Sequence, residues 1–327
     1  MNKRPSMHWL GPPGAGKGER AMDKFVELVQ LLGLALPSLA VAGIMLYIGK
    51  LVFNATAVRG LQDQLTEKDN PAAGVYYTGF ILGLGVALAG ALWGNSAWPG
   101  ANFPETLRNV GIAAGSVAVD AVLVLVLMRL SILINDRLIL YRFSIQKEMI
   151  QDRNLGTAFV VAGSCLATGL VLNGVFTGFS ENWLMSLRDI LVYWALGQVI
   201  LVLGGLLFQR IAGYDVQGTI ANDNNIPAGI SFGGYLVALG LMDRAAIAGS
   251  GSDLWACIVR IVVVSVVGLI ALAVVQAIVK LLFFRRSPLE KEIVQDRNAA
   301  AGAISAAGFV ALAVLLAAVI QQIPTVR

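Results

Sequence analysis

Eight long apolar stretches decide what this chain can become. They run over roughly 28–53, 71–93, 110–135, 155–178, 189–210, 226–247, 254–281 and 299–321. A hydrocarbon core about 30 Å thick is crossed by a helix of about 20 apolar residues. Inside lipid each backbone N–H and C=O must also find its partner within the protein. The pattern predicts an all-α, polytopic transmembrane helical bundle of eight spans. Only 13% of the residues are charged, about half the usual share in a water-soluble domain, which argues against a soluble enzyme. The first apolar run is too long for a cleaved signal peptide and lacks a small-residue cleavage pattern.

The basic residues set an expected orientation. Loops and helix ends after spans 1, 3, 5 and 7 carry thirteen Lys and Arg, whereas those after spans 2, 4 and 6 carry only Arg108, Arg188 and Arg244. The basic set belongs in the cytoplasm, so the loops from odd to even spans face inward and both termini face outward. Because these charges are spread among short loops, the formal charge of +4 does not point to nucleic acid. Residues 1–26 form an N-terminal tail whose Lys3, Arg4, Lys17, Arg20 and Lys24 are too basic for easy export. Its first 21 residues are expected to be a misassigned start, with Met22 as the true one, or a poorly ordered tail. Within it, Gly11 to Gly18 resembles a phosphate-binding loop, but no strand pattern precedes it, no nucleotide-binding α/β domain follows, and Glu19 stands where a hydroxyl residue is needed.

An internal repeat carries more information. Every even-numbered span opens on an acidic or amide signature ending in Asn: Asp69-Asn70, Asp152-Arg153-Asn154, Asp223-Asn224-Asn225 and Asp296-Arg297-Asn298. Four residues after that Asn come Gly74, Ala158, Gly229 and Gly302, and eight after come Thr78, Ala162, Gly233 and Ala306. Small residues at this spacing share a helix face and let backbones approach in lipid. The stretch 147–154 matches 291–298 best. The chain is therefore read as four two-helix hairpins in parallel orientation, grouped into a first four-helix membrane repeat (27–178) and a second (179–327), about an axis near the membrane normal.

These signatures resemble the YjfL-like bacterial inner-membrane family, domain of unknown function 350, in two tandem copies. The resemblance implies a bacterial inner membrane and no established activity. It also implies association with envelope-stress and polyamine-related genes.

For the repeated motif, the simplest role is helix capping by Asn70, Asn154, Asn225 and Asn298, with the neighbouring Asp residues complementing the positive helix ends. The alternative is a ring of four helix N-termini, with Asp152, Arg153, Asp296 and Arg297 at a cytoplasmic mouth. Within the spans, Asp120 and Arg260 occupy corresponding helices and are expected to pair between the repeats, because a lone intramembrane charge is costly. Arg129 is expected to snorkel toward the cytoplasm, while Gln198 and Gln276 add polar points. The basic–apolar arms 136–153 and 280–297 suit anionic lipid or a cytosolic partner. Cys165 and Cys257 read as packing residues. No catalytic residue, metal site or cofactor is expected. The functional expectation is a membrane scaffold or stress-associated component recruiting cytosolic stress-response proteins through its arms, with homo-oligomerisation open; the alternative is a channel or transporter for ions or small polar solutes.

Overall fold

In the computed structural model, residues 17–177, 183–248 and 253–322 are described. They form twelve helices: α1 (Lys17–Thr56), α2 (Leu61–Thr66), α3 (Pro71–Gly94), α4 (Phe103–Leu138), α5 (Ile145–Ile150), α6 (Leu155–Phe176), α7 (Trp183–Ile211), α8 (Val216–Asp223), α9 (Ile226–Ile247), α10 (Leu254–Phe283), α11 (Leu289–Val294) and α12 (Ala299–Ile320). Eight of these are long and apolar enough to cross a membrane. The other four (α2, α5, α8, α11) each sit between the two long helices of one copy, so the repeat is helix, short helix, helix. The end of the molecule that holds them is called the short-helix face below, and the opposite end the far face.

Small residues build the inner layer. Helices α3, α6, α9 and α12 pack side by side in chain order, each against the next, and form a row. A Cβ placed on Gly163 would overlap the Gly233 carbonyl across the α6–α9 seam. Gly79 meets Ala162 across the α3–α6 seam in the same manner, and Gly234 meets Ala306 across α9–α12. Lipid tails are as apolar as the helices, so the drive to associate comes from close packing, which small residues permit.

Larger side chains join a second row to the first. Helix α4 lies against α3 and α6, α7 against α6 and α9, and α10 against α9 and α12, with α1 against α3 and α4. Here Phe208 of α7 stacks on Phe232 of α9, with ring centroids 4.7 Å apart, and touches Tyr235. Phe53 of α1 packs in like manner on Tyr76 and Phe80 of α3. Burial follows position in the row: 78% of the most apolar window of α6 is buried, against 22% for α12. One is an interior helix and the other an edge.

Two readings change. The four helix N-termini, whose ring was the alternative to capping, do not surround an axis, because α3 and α12 are the two ends of a row. The two four-helix repeats join through the α6–α9 seam, which is built like the seams within them. Residues 17–26, expected as tail, are the opening turns of α1, with no helix breaker separating them from the apolar run. Residues 11–16 of the phosphate-loop lookalike lie outside the described residues. Two spans also start earlier than read: α4 opens at Phe103, where Asn102 caps it by accepting from Glu105 N, and α7 opens at Trp183.

Candidate functional site

The repeated motif is a double cap. Each short helix ends on a residue in the left-handed region, namely Asp69, Arg153, Asn224 and Arg297, with φ between 44° and 48°. In three copies the following Asn N–H bonds the carbonyl six residues back, as Asn70 N does with Gln64 O at 2.8 Å, which satisfies one of the free carbonyls at the end of the short helix. The Asn side chain then opens the next helix: Asn154 Oδ1 accepts from Thr157 N at 2.9 Å and Asn225 Oδ1 from Ala228 N at 2.9 Å. Asn70 and Asn298 cap α3 and α12 in the same way.

The other half of each amide reaches sideways. Asn70 Nδ2 donates to Met149 O, Asn154 Nδ2 to Ile220 O and Asn225 Nδ2 to Ile293 O, each at 2.8 Å. Every acceptor lies five residues before the Asn of the next copy, so one register is used three times. Asn298 Nδ2, in the last copy, donates among the described residues only to Glu292 Oε2, at 2.9 Å. The surroundings differ accordingly. Burial pushes the Glu148 carboxyl up against the donation from Asn154, whereas Glu292 is held below its ordinary value by the Asn298 amide and Ser287. Asp152 and Asp296 pair loosely with Lys147 and Lys291 at 3.3 and 3.8 Å, and Asp69 and Asp223 are exposed. The motif is thus a seam, and its amides are already committed.

The intramembrane charges gather elsewhere. Asp120 does not meet Arg260: α4 and α10 are on opposite sides of α7. Instead Asp120 Oδ2 accepts from Asn95 Nδ2 at 2.7 Å. Asn95 is the residue that closes α3. Together they wall a cavity of about 940 Å³ between α4 and α7, near the far face, lined also by Ser116, Trp183, Asp189 and Tyr193. Asp189 is paired with its neighbour Arg188 at 2.7 Å. Trp194 Nε1 donates to Ser131 Oγ at 2.8 Å and ties the two walls together. The cavity thus combines a carboxylate, an amide and aromatic rings, which suits a cation or a small cationic solute.

Arg129 is half-buried, with its Nη1 buried, beside Tyr76 and Asp136. Gln276 Nε2 reaches Ile211 O at 3.4 Å, while both amide atoms of Gln198 are buried without a hydrogen-bond partner among the described residues. Sequence reasoning missed Asn95, Asp189, Tyr193 and the fully buried Asp243, whose Oδ1 lies 3.1 Å from Ser265 Oγ. It also missed a link along the inner row, in which Arg244 Nε donates to Asn173 Oδ1 at 2.5 Å and Asn173 Nδ2 to Val86 O at 2.7 Å. These residues sit at span ends, where a polar side chain reads as loop. No group of three or more His, Cys, Asp and Glu that could hold a metal gathers among the described residues.

The family model for DUF350, a Domain of Unknown Function, matches residues 27–176 and again 182–320. The chain belongs to the DUF350 family. Each DUF350 copy spans four long helices of the row-and-layer arrangement, and the break between the matches falls between α6 and α7. No curated protein and no solved structure matches the chain.

Proposed function

We propose that this DUF350 protein is an inner-membrane channel or transporter component that takes a cation or small cationic solute into the α4–α7 cavity, with Asp120 as the counter-charge. The observation that carries this reading is Asp120 itself, an acid inside a membrane span whose only hydrogen bond among the described residues comes from an amide. An ionisable group within a membrane span is costly unless it is paired, a cost that a bound cation offsets. The short-helix face is taken as cytoplasmic from the thirteen-to-three division of basic residues, so the cavity opens outward.

Recruitment of cytosolic partners through the basic arms has narrower support. Arg142 is engaged by Asp215 at 2.6 Å, Lys280 by Glu290, and Lys147 and Lys291 by their own Asp partners. What favours a docking role is the segment 281–286, where Leu281, Leu282 and Phe283 are exposed beside exposed Arg285 and Arg286.

The test is flux of K⁺, Na⁺ and H⁺ in liposomes. Wild-type protein is expected to pass a cation, and Asp120→Asn to lose that flux with its melting temperature retained. No flux from folded, inserted protein would overturn the transport reading. Loss of a co-purifying cytosolic protein in Arg285→Gln/Arg286→Gln would then support the scaffold.

A further inference from the structure

The row of inner helices is made by one interface used three times, and its two ends present the two unused halves of that interface. On the leading side of each seam, positions 2, 9, 13 and 20 after the capping Asn are small and packed: Gly156, Gly163, Ala167 and Gly174 in α6 are all buried. At the same four positions α12 has Ala300, Ala307, Ala311 and Ala318, and all four are exposed. The receiving side uses positions 4, 8, 15 and 19. In α3 these are Gly74, Thr78, Gly85 and Ala89, none of them buried. A Cβ on Gly85 would have nothing within 4 Å, whereas the equivalent Gly169 would overlap the Gly83 carbonyl.

Two further observations fall on the same edges. Asn298 has no carbonyl to reach across a seam and is less buried than its three counterparts. The matching acceptor of the first copy is Leu65 O, five residues before Asn70, and no described side chain donates to it across a seam. The outer layer is incomplete in the same place: α4, α7 and α10 each bridge two inner helices, but α1, packed beside α4, rests on one inner helix, α3.

We propose that a second copy of this chain docks head to tail, its α3 edge against the α12 edge of the first, repeating the internal seam between molecules. Asn298 then donates to Leu65 O of the next molecule, and α1 of that molecule settles into the groove beside α12. The occupant is a copy of the chain because the seam demands a parallel helix with a short-helix carbonyl five residues before its capping Asn. A shared insertion direction in one membrane supplies the parallel orientation. The contact is heterologous, so it builds a closed ring or a growing row and not a two-fold dimer.

Paired cysteines test this. Across the internal seams, position 2 of one copy meets position 4 of the next, as Pro227 meets Gly302; between molecules that pair is Ala300 and Gly74. Oxidation of Ala300→Cys/Gly74→Cys in native membranes is expected to shift most of the monomer into dimers, trimers and larger species, with no adduct from either single variant. Cys165 and Cys257 are buried and stay silent. Adding Ala307→Leu, at an exposed position, is expected to abolish the ladder without changing the melting temperature. A dimer from Ala300→Cys alone would establish a face-to-face contact and overturn the proposal. So would absence of the ladder with both thiols reactive to maleimide, or a ladder that survives Ala307→Leu.

Discussion

At Asn154 one side-chain amide does two jobs, and the two can be separated by mutation. Its oxygen caps α6 and its nitrogen bonds Ile220 O across the seam and Glu148 within its own turn. Losing a cap costs about 1 kcal/mol, and leaving a buried carbonyl unbonded costs roughly 1–3 kcal/mol more. Asn154→Ala is therefore expected to destabilise by about 2–4 kcal/mol. Asn298→Ala, with a cap but no cross-seam carbonyl, should cost only about 1 kcal/mol in dispersed monomer. Thermal unfolding in detergent compares them, and equal losses would mean the cross-seam bond contributes nothing. Capping by these residues was legible in the sequence, since Asn followed by a small-residue helix is a local signal. The cross-seam bond was not: Ile220 lies 66 residues from Asn154, and no local pattern announces a backbone acceptor at that distance.

Helices in this protein differ less in hydrophobicity than in what their small residues face. Gly163 has the Gly233 backbone against it, while Gly85 faces open space. Gly163→Ala is expected to push α6 from α9 and cost at least about 1–3 kcal/mol, as overpacking does. Gly85→Ala should stabilise the dispersed monomer by about 0.5–1 kcal/mol, because glycine is a poor helix residue where nothing requires it. The melting temperatures should move in opposite directions; a loss in both would show that the α3 edge is packed even in the monomer. The repeat spacing made all four inner helices look alike. It left unread which of them are interior, because burial depends on neighbours that the helix's own sequence does not name. The same blindness hid the cavity: Asp120 was visible as a charge within a span, but its partner Asn95 looked like a loop residue.

Considered as a whole, the molecule has two faces of different character: the short-helix face with most basic residues, and the far face where the cavity opens. A reporter fused at Ile145 is expected to read cytoplasmic and one at Gly100 external, and the reverse result would invert the proposed direction of solute entry. The number of spans, their parallel repetition and the capping motif follow from sequence alone, because each is a local consequence of lipid thickness, backbone hydrogen bonding and helix-end chemistry. Row against ring was a different matter. Parallel repeats related by small-residue contacts are compatible with either, and the choice is made by the angle at which one Gly-lined face meets the next. That angle exists only once the helices are packed. It separated Asp120 from Arg260, made a buried seam where the alternative reading had a mouth, and left α3 and α12 as open edges.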